Sequence, residues 1–247
     1  MRLRQIALVA TDLEAQVTLL HDILGIEVGY RDPNVGVFGL KNILAPIGGE
    51  FLEIVSPVEE NTAAGRYMAR RGGDSGYMVI LQTDDAARDR QRIADMGIRI
   101  IWNIDRPNHI AGQYHPHDVG GILLSIESQP GVTAIHEPMC DWPPAGPDWR
   151  DHVQTRRISA ITGVDIAAAD PPTMAQQWAE ILQHDLIDPV TLALPNAKLR
   201  FRPGGDGILS VDVATQARTA ILAAAAKADL PHTDDSVTLC GTVFNLR

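Results

Sequence analysis

The sequence predicts an α+β protein made of tandem modules, each with the order strand, helix and three strands (βαβββ). Three observations predict this class. A short run of branched apolar residues, an aspartate and an amphipathic helix closed by glycine follow one another near the N-terminus. The same succession of signals recurs from Tyr77. Short apolar segments separated by turn residues, typical of strands, follow each copy, and an internal repeat of this kind indicates duplicated architecture.

The first module begins with an apolar run at residues 5–10, which suits a buried strand. Asp12 follows at the position of a helix N-cap, where its carboxylate can accept the unpaired N–H groups of the first turn. Gly25 can adopt the left-handed conformation that ends a helix. The apolar face between these two residues consists of Leu13, Val17, Leu20 and Leu24.

The second module repeats this pattern. Asp84 is its predicted cap and Gly97 its predicted stop, with the same spacing as Asp12 and Gly25. A short helix is predicted at 63–70, within the polar segment that joins the two modules. The other strands of the two modules are predicted at 35–40, 42–46, 51–55, 99–102, 114–115 and 122–127.

Composition divides the chain into three predicted regions. Residues 1–128 form a domain of two modules, 129–156 a proline-rich linker, and 157–247 a second, reduced domain of two modules. Proline at this density blocks ladder pairing, and Trp142 and Trp149 are expected to pack onto the domains. In the second domain, helices are predicted after Asp170 and at 217–228, and strands at 158–168, 190–194, 198–201, 207–214 and 237–246.

The bulk composition narrows the class of protein. The chain has 247 residues, of which 45% are hydrophobic, and a formal net charge of −10. Such a charge argues against nucleic acid and anionic membranes as partners, since both need a basic face.

Two cysteines do not make a disulfide framework. No apolar run is long enough to cross a membrane, and the N-terminus leads directly into a strand, so a cytoplasmic protein without a nucleotide cofactor is expected.

Three phrases carry a family resemblance: the strand–Asp–helix–Gly-Ile order, the strand F-L-E-I-V-S-P, and the strand that follows D-V-G-G. With them the chain resembles the vicinal-oxygen-chelate superfamily, which includes glyoxalases, bleomycin-resistance proteins and extradiol dioxygenases, and it looks most like the glyoxalase-like branch. The resemblance is good over residues 3–128 and mainly topological over 157–247. It implies two paired glyoxalase-like domains whose curved mixed sheets form a cleft.

The resemblance also implies where functional residues lie. In this family, metal ligands come from the first and last strands of each module. Those positions are Gln5 and Glu53 in the first module and Tyr77 and Ser125 in the second. The family more often has histidine or glutamine, glutamate, histidine and glutamate there, so Gln5 and Glu53 fit while Tyr77 and Ser125 depart from the pattern.

This departure weakens a divalent metal site, because a single carboxylate must offset two positive charges. His115 and His117 lie just before the last strand, and residues two apart on an extended chain face the same side. The two imidazoles could hold a metal ion from one face; with the positions that the resemblance implies, the candidate ligands of a divalent ion are Gln5, Glu53 and His115. The alternative for the histidines is that they cap a turn or face solvent.

The same residues are candidates for catalysis. If Glu53 faces the cleft, burial would raise its pKa and make it a general base; otherwise strand alternation turns it to solvent. His115 could act as a base near neutral pH. Tyr77 could donate a hydrogen bond to substrate or belong to the core. Asn42, Gln5, Ser125 and His117 are candidates for substrate binding.

Two functions from different classes remain open. The first is an enzyme, a lyase, isomerase or dioxygenase-like protein acting on a small oxygen-rich molecule in the N-terminal cleft with a degenerate metal site. The second is a metal-free binding or resistance protein without catalysis. A third possibility is a degenerate, structural member of the family in which both sites are silent. The equivalent positions of the second half offer no metal site; they are Gly163, Leu199, Ile208 and Asn245. A monomer or homodimer with a small-molecule ligand is expected.

Overall fold

The structure is a computed structural model that describes residues 1–132 and 134–247. Within these residues, fourteen strands form one mixed sheet accompanied by five α-helices, which confirms the α+β class. The strands are β1 (Arg2–Val9), β2 (Leu40–Ile47), β3 (Glu50–Pro57), β4 (Ser75–Gln82), β5 (Ile100–Arg106), β6 (His109–Tyr114), β7 (Leu123–Ser128), β8 (Ile158–Ala168), β9 (Leu186–Asp188), β10 (Thr191–Ala193), β11 (Lys198–Pro203), β12 (Ile208–Thr215), β13 (Ser236–Leu239) and β14 (Thr242–Leu246). The helices are α1 (Leu13–Leu19), α2 (Ala63–Arg71), α3 (Ala86–Asp95), α4 (Pro171–Leu182) and α5 (Arg218–Lys227).

The first strands of sister modules lie side by side. β1 and β4 are antiparallel neighbours, and each has the last strand of its own module, β3 or β7, as its parallel neighbour. β8 and β12 repeat this arrangement, with β11 and β14 as their parallel neighbours. The duplication read from the sequence is therefore also a duplication of sheet topology. The domain boundaries at 1–128, 129–156 and 157–247 stay a prediction.

Two predicted strands take another form. Residues 35–40 fall mostly in a 3-10 helix, Pro33–Phe38, because Asp32 caps its start and Gly39, with φ 68°, ends it. The single strand predicted at 237–246 is instead two strands, β13 and β14. Cys240 and Gly241 both have positive φ and form the tight turn between them.

The helix caps are largely as predicted. Asp12 accepts the N–H groups of Glu14 and Ala15, and the helical segment ends in a π-helical turn before Gly25, which has φ 67°. In the second module the cap is Asp85, which accepts from the N–H of Arg88, so the prediction of Asp84 was wrong by one residue. Both aspartates can cap, and the local sequence does not choose between them.

Within the described strands, the two halves of the sheet are joined where Ile208 of β12 pairs with Gly76 of β4. A Cβ atom at Gly76 would lie 2.3 Å from the Cβ of Ile208. The junction therefore requires glycine at this position.

The alternation of side chains separates two faces of the first half. Ile6 and Leu8 of β1 belong to the large core that includes helical residues, while Ala7 belongs to a second cluster on the other face. Gln5 also points to this second face, where the candidate site lies.

The proline-rich segment covers part of the second face. Trp142 and Trp149 are both buried, and the ring of Trp149 meets Phe51 edge to face with the centroids 4.9 Å apart. The guanidinium of Arg4 lies 5.3 Å from the ring centroid of Trp142 and donates to the carbonyl of Cys140. The prediction that both tryptophans pack onto the domains is confirmed.

In the described part of the chain, no helix combines the length and apolar character that a membrane crossing requires.

Candidate active site

A cavity of about 540 Å³ lies on the second face of the first half. Strands β1 to β4 contribute to its wall, and the Pro33–Phe38 helix and β5 also line it. This volume is typical of small-molecule sites. Most of the lining is apolar. The polar lining residues are Gln5, Asp32, Asn34, Asn42, Glu53, Tyr77, Arg106, His109, Gln113 and Glu127.

Glu53 is the buried carboxyl of this cavity. It sits in the middle of β3, opposite Ala7 of β1 and Leu44 of β2, and is 8% exposed. The Asn42 Nδ2 donates to Glu53 Oε1 at 2.6 Å, and the Gln5 Nε2 donates to Glu53 Oε2 at 2.8 Å. Each carboxylate oxygen therefore accepts one amide N–H and keeps lone-pair capacity for a further proton.

The orientation of both amides is fixed by donors that cannot turn round. The indole N–H of Trp142 donates to Gln5 Oε1 at 3.0 Å, and the backbone N–H of Asp32 donates to Asn42 Oδ1 at 2.9 Å. Rotating either amide would set two donors against each other and leave both buried groups unsatisfied. Both NH₂ groups are thus held toward Glu53.

Opposing effects set the pKa of Glu53. Burial is the largest and raises the pKa to about 7, while the hydrogen bonds from Asn42 and Gln5 lower it and the charge of Glu127 raises it. A carboxyl with this pKa is present in both protonation states near neutral pH. It can take up and release a proton under physiological conditions.

Tyr77 also lines the cavity. Its ring packs against Tyr67 with the centroids 5.2 Å apart, and burial raises the pKa of its phenol to about 12. The phenol is therefore protonated over the physiological range and available as a hydrogen-bond donor.

A second polar cluster faces the same cavity. Glu127 accepts a hydrogen bond from the Ser125 hydroxyl at 2.8 Å, and its other oxygen lies 2.7 Å from His109 Nε2. All three residues are buried, and Glu127 and His109 line the cavity. Ser125 was predicted here but the other two were not. Strand alternation could have indicated Glu127, which is two residues beyond Ser125 and on the same face.

The strand register defines which positions of the two modules correspond. Ala7 of β1 is opposite Glu53 of β3. In the second module, Ile80 of β4 is opposite Ser125 of β7. Ala7 and Ile80 lie equally far before the caps of their modules, Asp12 and Asp85, so Ser125 occupies the position that corresponds to Glu53.

The counterpart of Gln5 differs from the prediction. Gln5 lies two residues before Ala7 in β1, and Met78 lies two residues before Ile80 in β4. Met78, and not Tyr77, therefore corresponds to Gln5. The slip has the same origin as the error in the helix cap, because spacing counted from Asp84 instead of Asp85 shifts each position of β4 by one. Both Met78 and Tyr77 line the cavity, but the corresponding position carries a thioether.

The expected position of His115 and His117 at the cleft was wrong. Pro116–Asp118 is a 3-10 turn, and His115 caps it by accepting the N–H of His117 at 3.2 Å, so the two side chains do not share one face of a strand. Arg99 lies 3.3 Å from the His115 ring and forms a 2.7 Å ion pair with Asp118. Neither histidine is among the described residues that line the cavity.

The residues present do not fit the divalent metal ion that the resemblance implies. The Gln5 oxygen already accepts an indole N–H, and both oxygens of Glu53 accept amide N–H groups. The other two positions hold Met78 and a Ser125 hydroxyl bonded to a carboxylate, and His115 lies elsewhere. Among residues 1–132 and 134–247, no group of three or more His, Cys, Asp or Glu side chains is arranged to hold a metal ion.

The second half contains an ion-pair network on the equivalent strands. Arg200 lies 2.6 Å from Asp165 and 2.8 Å from Asp212, and Asn245 donates to Asp212 at 2.9 Å. A Cβ atom at Gly163 would meet this guanidinium at 3.1 Å. The guanidinium therefore lies over the glycine where the first half has Gln5.

The fold is that of the glyoxalase-like class, and the cavity has a volume that suits a small molecule. The family model described as "Glyoxalase-like domain" matches residues 6–182. The chain therefore belongs to this family, within the vicinal-oxygen-chelate superfamily.

Individual relatives are more distant. An ethylmalonyl-CoA/methylmalonyl-CoA epimerase of Cereibacter sphaeroides is 24% identical over 132 residues, which are 51% of this chain and 96% of the relative. The crystal structure of a hypothetical protein from Staphylococcus aureus matches 99% of this chain and 98% of its own, with a TM-score of 0.69 and 13% identity, and supports the fold of the whole chain. A Streptomyces coelicolor methylmalonyl-CoA epimerase in complex with 2-nitronate-propionyl-CoA matches 53% of this chain and 99% of its own, with a TM-score of 0.48 and 23% identity.

Proposed function

We propose that this protein is an isomerase-type enzyme that moves a proton on a small carbonyl compound, with Glu53 as the base. The observation that carries the proposal is a buried carboxyl inside a cavity, held by two fixed amide donors, with a pKa of about 7. A purely structural protein gains nothing from burying such a group, because the desolvation of a carboxylate is unfavourable.

The proton transfer follows from the chemistry of the lining. Ionised Glu53 takes the proton from a carbon next to the carbonyl; the C–H bond breaks, and its electron pair moves onto the carbonyl oxygen as an enolate. The protonated phenol of Tyr77 is a donor that can stabilise this oxygen. Return of a proton to carbon completes the isomerisation.

A second proton carrier is available for inversion of configuration. His109 faces the same cavity and is held by Glu127 at 2.7 Å, an arrangement that orients an imidazole for proton transfer. Proton return from His109 instead of Glu53 would invert the carbon. The name of the Cereibacter sphaeroides relative, an epimerase, is consistent with this class of reaction.

Exchange of carbon-bound hydrogen tests the proposal directly. The purified protein is incubated in deuterium oxide with methylmalonyl-CoA, ethyl 2-methylacetoacetate or 2-phenylcyclohexanone, and loss of the acidic C–H signal is followed by proton NMR. We expect exchange with at least one compound, and a loss of about 100-fold or more in Glu53→Gln, because a general base contributes about 10²–10⁴ in rate. Glu60→Gln, which removes an exposed carboxylate, is the matched control.

The outcome separates the enzyme from its alternative. Unchanged exchange in Glu53→Gln would reject Glu53 as the base. Saturable binding of a compound in the cavity without exchange of its hydrogen would favour the binding protein.

A further inference from the structure

We propose that the substrate of this cavity is an uncharged carbonyl compound with a flat apolar body, held at the mouth against Phe38 and Trp102, and not a CoA thioester or another polyanion. The inference that the substrate carries a carbonyl group rests on the proposed function. The apolar body is argued separately, from the mouth of the cavity and from its charges.

Exposed apolar side chains gather at the mouth. Val37 is 71% exposed, Phe38 39%, Ile101 45% and Trp102 40%, and all four line the cavity. A single exposed apolar residue needs no explanation, but a group of them around one opening marks a binding surface.

Two of these rings meet across the mouth. Phe38 is the last residue of the Pro33–Phe38 helix and Trp102 lies on β5, and their ring centroids are 4.8 Å apart with the planes at 70°. The contact joins two elements that are far apart in sequence. The two contacting rings present one aromatic surface at the edge of the cavity, and a flat ring that packs against this surface can contact both, which suits an aromatic or broad apolar ligand.

The charges of the cavity oppose a polyanion. Among the described lining residues, the acidic side chains are Asp32, Glu53 and Glu127, while Arg106 supplies the guanidinium. Recognition of several phosphate groups needs clustered cationic donors. The chain as a whole carries a formal net charge of −10, which adds long-range repulsion.

A matched pair of fluorescent probes tests this substrate class. N-phenyl-1-naphthylamine is neutral, and 8-anilinonaphthalene-1-sulfonate has the same aromatic body with one added sulfonate. We expect the neutral probe to bind saturably to the full chain and at least tenfold more tightly than the anionic probe. Coenzyme A is expected not to displace it, while 2-phenylcyclohexanone is expected to do so.

Two variants locate the binding site. Phe38→Ala and Trp102→Ala should each weaken the neutral probe by tenfold or more, and circular dichroism checks that they remain folded. Ile187→Ala removes an exposed apolar side chain of β9, away from the cavity, and should leave binding unchanged.

The possible failures are distinct. Equal or tighter binding of the anionic probe, displacement by coenzyme A, or unchanged binding in both mouth variants would overturn the substrate class. Probe binding requires no proton transfer. If the exchange experiment rejected Glu53 as the base, the result of the probe-binding experiment would therefore still hold.

Discussion

The buried carboxyl of Glu53 makes the stability of the folded protein depend on pH. Its pKa is about 7 in the folded protein against 4.5 for an ordinary glutamate. The folded state therefore holds this proton more tightly than the unfolded state. Below about pH 4.5 both states are protonated and there is no penalty; as pH rises to about 7 the folded state loses stability, and above that the loss is constant.

The size of this loss follows from the same two values. One pKa unit corresponds to about 1.4 kcal/mol, so the full penalty is about 3 kcal/mol. Glu53→Gln cannot ionise and removes the pH-dependent part. The substitution also sets a new NH₂ group against one of the two amides that donate to Glu53, which costs about 1–3 kcal/mol at every pH. The informative quantity is therefore how the difference in free energy of unfolding between the variant and wild type changes with pH.

Urea unfolding of the wild type and Glu53→Gln across this range measures that quantity. We expect the free energy of unfolding of the variant, relative to wild type, to rise by about 3 kcal/mol between about pH 4.5 and pH 8.5. Glu60→Gln controls for the loss of one negative charge. A difference that stays flat across the range would show that the folded environment of Glu53 does not oppose its ionisation.

Three further substitutions test other parts of the structure. Trp142→Phe frees the Gln5 amide to turn its oxygen toward the carboxyl, so the pKa of Glu53 and the upper end of the pH range over which stability falls should both move up by about one unit. Glu50→Leu leaves the buried guanidinium of Arg2 without its 2.7 Å partner and should lower the free energy of unfolding by about 3–5 kcal/mol in urea. His115→Ala should leave hydrogen exchange on substrate unchanged in the NMR assay, because this ring lies outside the cavity.

Each of these has a matched control. Trp149→Phe alters a buried tryptophan of the same segment and should not move the upper end of this pH range as Trp142→Phe does. Glu14→Leu breaks an exposed ion pair and should cost no more than about 1 kcal/mol, so an equal loss in both variants would contradict the role of burial at Glu50. A tenfold loss of exchange in His115→Ala would place that imidazole in the reaction after all.

Most of the fold could be predicted from the sequence repeat, because the signals in this repeat act locally. A cap, a helical stripe and a glycine stop each act within a few residues, so Asp12 and Gly25 were identified correctly. The error at Asp84 and Asp85 arose where two adjacent residues have the same capping chemistry. Only packing of the helix on the sheet selects one of them, and a slip of one residue moves a side chain to the other face of a strand.

The candidate site was predictable where the family resemblance assigns a position. Glu53 and Asn42 were found in this way, and both face the cavity, whereas strand alternation alone left the direction of Glu53 open. His109 was missed because its partner comes from the adjacent strand. The bond between Trp142 and Gln5 joins residues from distant parts of the chain, and no local pattern indicates which ring of a proline-rich segment reaches back.

That bond has a practical consequence for dissecting the protein. A fragment that stops at residue 128, where the composition changes, would keep every carboxyl and amide of the cavity. It would lack the indole that holds the Gln5 amide in place, and with it the neighbouring segment that covers this face. If such a fragment were inactive, the cause would therefore be the loss of Trp142 and its segment. It would not show that the first two modules lack catalytic residues.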